Sequence, residues 1–182
     1  MAEIVKQFDV DDGPALEPRF NIAPTQSVAA IRADTDGLRS LELLRWGLIP
    51  HWAKDISIGN RLINARAETV AEKPAFRQAF SRRRCLVLAS GFYEWGNTGD
   101  GKMPFFMSPV DGQCMAFAGL WERWHGGEEV ALESCVIITT AANASLEAVH
   151  QRMPVILDDN AQISWLAEDT SKEACRALLR PA

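Results

Sequence analysis

The sequence predicts an α+β fold: one domain with a curved mixed sheet or partial β-barrel and peripheral helices. Two observations carry this. Seven short apolar or alternating segments, separated by turn residues, fill the middle of the chain, and helix-like segments flank them without regular βαβ alternation. The chain has 182 residues, 47% hydrophobic and 24% charged. That is enough apolar material for one core, so residues 1–182 are read as a single domain.

The predicted strands are Val28 to Arg32, Leu41 to Trp46, Arg84 to Ala89, Phe92 to Trp95, Pro104 to Ser108, Met115 to Trp121 and Ser134 to Thr139, with a further short strand from Val155 to Leu157. Helices are predicted at Lys73 to Phe80, Ser145 to His150, Asn160 to Ala167 and Ser171 to Leu179. For the last, Thr170 and Glu173 form a T-x-x-E capping box ahead of an apolar run. Gly96 to Met103, G-N-T-G-D-G-K-M, nearly matches a phosphate-binding loop. It has Met103 where that loop needs a hydroxyl, and its flanks read as two strands. A hairpin turn, with Asn97, Asp100 and the glycines supplying the backbone angles, accounts for it better.

Several function classes drop out. No apolar run approaches the roughly 20 residues of a membrane-spanning helix, and no secretory signal is present, so a cytoplasmic protein without a membrane partner is expected. Cys85, Cys114, Cys135 and Cys175 form no C-x-x-C pair, and His51, His125 and His150 are far apart, so neither a metal, a cofactor nor a disulfide framework is expected. The net charge of −5 argues mildly against nucleic acid. However, residues 45–84 carry nine Lys and Arg against three acids, which allows a basic face on an acidic protein. The plainer alternative, for Arg82 to Arg84 above all, is a solvated charge run.

Three segments place polar groups where a strand or helix pattern does not ask for them. In Leu62-Ile63-Asn64-Ala65-Arg66-Ala67-Glu68-Thr69, extended backbone projects Asn64 and Arg66 the same way. An amide there bonds a sugar or phosphate oxygen, and a guanidinium grips phosphate. The alternative is an Arg66 paired with Glu68 or Glu72. In Ser90-Gly91-Phe92-Tyr93-Glu94-Trp95, a carboxylate held against Phe92, Tyr93 and Trp95 loses solvation and exchanges protons nearer neutral pH. The alternative is an outward-facing Glu94. In Val149-His150-Gln151-Arg152-Met153-Pro154, His150 offers an acid or base at physiological pH, with Arg152 beside it to neutralise a phosphate. A lone histidine is otherwise structural.

Five motifs appear in order: P-R-F-N-I-A-P-T-Q (Pro18 to Gln26), R-W-G-L-I-P-H-W (Arg45 to Trp52), L-I-N-A-R-A-E-T, R-C-L-V-L-A-S-G-F-Y-E-W and H-Q-R-M-P. Together they resemble the SOS response-associated peptidase family, the abasic-site processing proteins, over about residues 8–165. The resemblance implies a partner, single-stranded DNA containing abasic sites, and a chemistry. An N-terminal cysteine, exposed by removal of the initiator Met, closes a thiazolidine with the abasic-site aldehyde and crosslinks protein to DNA. It also implies that Asn64, Glu94 and His150 are catalytic and that Arg66 and Arg152 contact phosphates. Trp46 and Trp52 lie where such proteins stack or wedge against bases. A monomer, nucleoid-associated when bound and tied to the DNA-damage response, is the expectation.

The chain departs from the family pattern at its start. Members begin Met-Cys-Gly-Arg; this sequence begins Met1-Ala2-Glu3-Ile4-Val5-Lys6-Gln7-Phe8-Asp9-Val10. Glu3 to Val10 resembles the later part of the family's first helix, followed by a proline-containing linker from Asp11 to Pro18. The expectation is that roughly ten residues bearing the nucleophile are missing ahead of Met1. If the chain is complete, the resemblance implies a noncatalytic single-stranded DNA binder. A peptidase or hydrolase, as the family's name has it, finds no G-x-S-x-G-type signature. A dyad of His150 with Cys85 or Cys135 is left open.

Overall fold

The structure, a computed structural model, describes residues 2–10, 13–99, 101–126 and 131–182. The seven strands expected in the middle of the chain are present, Arg84–Ala89 with the expected bounds and the others shifted or longer, and two short strands join them. In order they are β1 (Ser27–Ala33), β2 (Arg39–Trp46), β3 (Asn64–Arg66), β4 (Arg84–Ala89), β5 (Phe92–Thr98), β6 (Gly101–Met107), β7 (Met115–Trp124), β8 (Leu132–Ala141) and β9 (Arg152–Pro154). The helices are α1 (Ala2–Phe8), α2 (Arg77–Arg82), α3 (Asp159–Leu166) and α4 (Lys172–Leu178), with a 3-10 helix at Ile56–Arg61. Asp11 and Asp12 of the expected linker, and Asp100 of the expected turn, lie outside the described residues.

The large sheet closes on itself. β1 pairs with β2 and β4, β4 with β7, and β7 with β8, all antiparallel; β8 then pairs in parallel with β2. Closure leaves few free backbone edges. Strand alternation sorts the apolar side chains into two clusters. Val28, Ala30, Leu44, Cys85, Val87, Phe117, Cys135 and Ile137 fill the barrel. Ile31, Leu41, Leu86, Leu120, Val136 and Ile138 face outward, where Phe8, Phe80 and Trp165 from the helices cover them.

β8 is longer than its ring partners need. Past β2 it pairs in parallel with β3, and past β7 it pairs with β9. Residues in register share a face, so Asn64, opposite the barrel-lining Ile137, and Arg66, opposite Thr139, continue the inner face at the mouth of the barrel.

Several local expectations are corrected. Ser145 to His150 is a run of turns and not a helix. Asn143 Oδ1 accepts from Leu146 N, and the i→i+4 bonds at Glu147 and His150 are not consecutive. Helix α2 begins at Arg77, four residues later than expected; Lys73 to Phe76 form turns, with Lys73 O accepting from Phe76 N and Arg77 N ahead of the helix. The cap of α4 is Ser171, whose Oγ accepts from Ala174 N; Thr170 instead donates to Ser164 O. β9 lies three residues ahead of the strand expected at Val155 to Leu157, which adds only the bridge Ile156–Phe117. The hairpin reading of Gly96 to Met103 holds, with Thr98 opposite Gly101 and Gly101 at φ +118°. Asn97, however, pairs with Lys102 within the ladder and not in the turn.

The Arg82 to Arg84 run is not uniformly solvated. Arg84 is buried and donates to Phe80 O, Ser81 O, Trp165 O and Ala167 O, tying α2 and β4 to α3. Trp165 is fully buried, packs edge-to-face on Phe80 and donates Nε1–H to Cys85 O. Trp165→Ala removes this packing and should cost about 3–5 kcal/mol. Urea unfolding checks it, and a loss below about 1 kcal/mol would mean that α3 is peripheral to the core.

Candidate functional site

β3 presents its residues as expected, with Asn64 and Arg66 exposed and Ala65 buried between them. Neither the Asn64 amide nor the Arg66 guanidinium has a side-chain hydrogen bond or ion pair among the described residues. The alternative pairing of Arg66 is not found. Glu68 is held by Arg152 and Glu72 by Arg176.

Glu94 enters on β5. Phe92, two residues earlier on the same face, packs edge-to-face on the barrel residue Phe117 at 5.8 Å between ring centroids. That contact seats the β5–β6 hairpin at the mouth. Gly96, next on this face, is buried where a Cβ would lie 2.8 Å from the Phe105 ring and 3.2 Å from Val149. Only the missing side chain lets the hairpin approach the Val149–His150 turn so closely. Tyr93 and Trp95 point to the opposite face and are exposed, so of the three aromatics expected around Glu94 only Phe92 shares its face, where Phe105 stands opposite Glu94 in the hairpin register.

The close approach brings Glu94 Oε2 to 3.6 Å from His150 Nδ1. Burial pushes the Glu94 carboxyl above its usual value, while His150 and a backbone bond from Trp95 pull it partly back. The imidazole is itself placed by β9: Nδ1 lies 2.9 Å from Arg152 O and 3.2 Å from Arg152 N. With a proton on Nδ1 it donates to the carbonyl; without one it accepts from the amide.

Arg152 is not an open phosphate receptor in this conformation. Its guanidinium grips Glu68 at 2.6 and 3.0 Å and also donates to Thr139 O at 2.6 Å. The fork holds Glu68 below the usual carboxylate range. Arg152 thereby joins β9, β8 and the segment after β3. Glu68, Thr139 and Gly96 are the site residues that sequence reasoning missed; the first lay within the L-I-N-A-R-A-E-T motif, assigned to a different arginine.

The two tryptophans differ. Trp46 is half-buried against the barrel interior and donates to Ile63 O at 2.9 Å, which fixes the residue ahead of Asn64. Trp52 is exposed on the loop before the 3-10 helix. The cysteines do not join the site. Cys85 and Cys135 are fully buried inside the barrel, with burial pushing Cys135 up to about 12 and Cys85 up as well. No contact links either thiol to His150, so the dyad left open by the sequence does not form. Among the described residues no cluster of three His, Cys, Asp or Glu is placed to hold a metal. No helix of the described residues is long and apolar enough to cross a membrane.

A small barrel with a polar mouth built from β3, β5 and the turn before β9 defines a class, and comparison places the chain in it. The family described as SOS response associated peptidase (SRAP) matches residues 1–182, and the chain belongs to that family. It is 42% identical over 184 residues to the abasic site processing protein YoqW of Bacillus subtilis, covering 98% of this chain and 82% of that one. To the abasic site processing protein YedK of Escherichia coli it is 32% identical, covering 96% and 76%. The crystal structure of a protein from Bordetella bronchiseptica superposes with a TM-score of 0.85 at 26% identity, covering all of this chain and 90% of that one.

The raised Glu94 carboxyl gives a testable pH dependence. The folded chain holds this proton more tightly than the unfolded chain, so its contribution is fully present below the usual value of 4.5 and is lost as pH rises through the higher folded value. Glu68 and Glu133, both lowered, act in the other direction and below that value. Glu94→Gln removes only the upper limb. The Tm of the variant minus that of the wild type should therefore grow between about pH 4 and pH 7. A pH-independent difference would show that Glu94 is not desolvated.

Proposed function

We propose that this protein processes abasic sites in single-stranded DNA, with the barrel mouth as its active site. The observation that carries the reading is the Glu94–His150 pair at 3.6 Å, a partly desolvated carboxylate against an imidazole. The unpaired Asn64 and Arg66 lie on the face that continues the barrel interior toward the same mouth. The abasic-site processing names of its relatives support the same reading.

An abasic deoxyribose in its open form offers an aldehyde. Attack by a neutral α-amine gives a carbinolamine, loss of water gives an imine, and addition of a thiol from the same residue closes a thiazolidine. One water leaves in total. Glu94 takes the proton from the attacking ammonium, and His150 delivers a proton to the departing hydroxyl. Asn64 bonds the sugar or phosphate oxygen and Arg66 the phosphate. Thiol and amine must sit on one residue, an N-terminal cysteine of the kind a Met-Cys-Gly-Arg start provides. None of Cys85, Cys114, Cys135 and Cys175 meets that requirement, and removal of the initiator Met is the only peptidase-like step involved.

The test mixes single-stranded DNA bearing one abasic site with the 182-residue chain and with a form extended upstream by roughly ten residues that begin Met-Cys-Gly-Arg. A heat-stable shifted band on a denaturing gel is expected for the extended form. Glu94→Gln and His150→Ala in that form should each slow its appearance about 100-fold or more. Binding of undamaged single strands without any crosslink would leave a DNA-binding module and remove the catalytic assignment of Asn64, Glu94 and His150.

A further inference from the structure

The chain between β2 and β3 makes an excursion that is shut at its neck. Leu48 N donates to Leu62 O at 3.0 Å, and Gly47 and Gly59 pack so closely that a Cβ on either would lie within 2.6–2.7 Å of the other's carbonyl oxygen. Gly47 also has φ +128°, so this approach needs glycine on two counts. Three ties from the barrel then hold the loop. Ile49 N donates to Ser134 Oγ at 2.8 Å, His51 Nδ1 lies 3.3 Å from Glu122 Oε2, and Trp124 Nε1 donates to Ala53 O at 2.7 Å.

Trp52 stands between the last two ties, 52% exposed, its ring making no aromatic or hydrogen-bonded contact among the described residues. An indole held rigid while its face stays open loses little freedom when a base stacks on it. The least expected of the ties is Glu122, only 4% exposed on a strand of the core. It accepts from Arg83 Nη2 at 2.8 Å and from Arg123 N at 3.1 Å as well as facing His51. For the core alone, an apolar side chain would serve at lower desolvation cost.

We infer that Glu122 is a positioning residue, holding His51 and through it the Trp52 indole in the orientation that stacks on a nucleobase. The inference rests on the DNA reading above. Arg83, the C-cap of α2, sets an opposite charge 2.8 Å from the buried Glu122, and His51 transmits the position of Glu122 to the loop. Glu122 touches no DNA itself; its effect on binding runs wholly through Trp52.

A mutant cycle on undamaged single-stranded DNA, read by fluorescence anisotropy at low salt, tests this. Trp52→Ala should weaken binding about tenfold and Glu122→Gln about fivefold. The double variant should bind within about twofold of Trp52→Ala alone. A merely structural Glu122 lowers Tm without such coupling, so losses that multiply, or a Glu122→Gln variant with wild-type affinity, overturn the inference. Should Glu122→Gln fail to fold, the same cycle with the half-exposed His51 replaced by Ala decides between the two outcomes. Full affinity in Trp52→Ala refutes the inference while leaving the DNA reading intact. A wild type with no salt-sensitive affinity for single strands removes both.

Discussion

Three of the polar groups at the mouth, Asn64, Arg66 and Arg152, depend on the length of β8. A strand of the ring's own length would satisfy β7 and β2 and stop near Val136. β8 runs on to Ala141, and its unsatisfied backbone recruits β3 on one side and β9 on the other. Those two short strands have only three residues each, too few to persist as independent pairs. Their positions are therefore set by β8. Asn64, Arg66 and Arg152 inherit their places from backbone pairing rather than from side-chain packing, and His150 inherits its place from Arg152.

The hairpin β5–β6 reaches the same place by a different route. It pairs with no strand of the barrel, so its position rests on the Phe92–Phe117 contact and on the missing side chain at Gly96. This explains how Glu94 comes to face His150. It also gives Glu94 its character, because the base of a hairpin seated on the Phe117 ring excludes water without enclosing the group. The carboxyl is raised by partial burial and partly restored by the imidazole, an intermediate state suited to exchanging a proton in both directions.

Much of this was legible in the sequence because period-two patterning reports burial directly. The strands of the barrel, the hairpin at Gly96 to Met103 and the exposed pair Asn64 and Arg66 follow from alternation and turn chemistry. What sequence could not give was the partner of each charge. Arg66 and Glu68 are neighbours in the chain, yet Glu68 pairs with Arg152, 84 positions away, since strand pairing at Thr139 brings the two together. The same limit hid the role of Arg84. Its surroundings are carbonyls at the ends of α2 and α3, invisible as a pattern of residue types. Ser145 to His150 departs from expectation for a more local reason: Asn143 accepts from Leu146 N as an N-cap does, but only isolated i→i+4 bonds, at Glu147 and His150, follow it, and no ladder propagates.

The distribution of charge at the mouth bears on how a chain of net charge −5 would meet the polyanion proposed as its partner. Arg152 and Glu68 form a bidentate pair whose charges cancel, so among the described residues there Arg66 is the cation without a counter-charge in contact. Attraction of phosphates at this point is correspondingly modest, and counterion release alone gives a shallow dependence on salt. On the proposed reading, specific recognition then has to draw on contacts that need no net charge: the Asn64 amide, the open face of Trp52, and the Glu94–His150 pair. Such contacts repay close, ordered approach rather than long-range pull, and the ties on the Gly47 to Leu62 excursion supply that order before any ligand arrives.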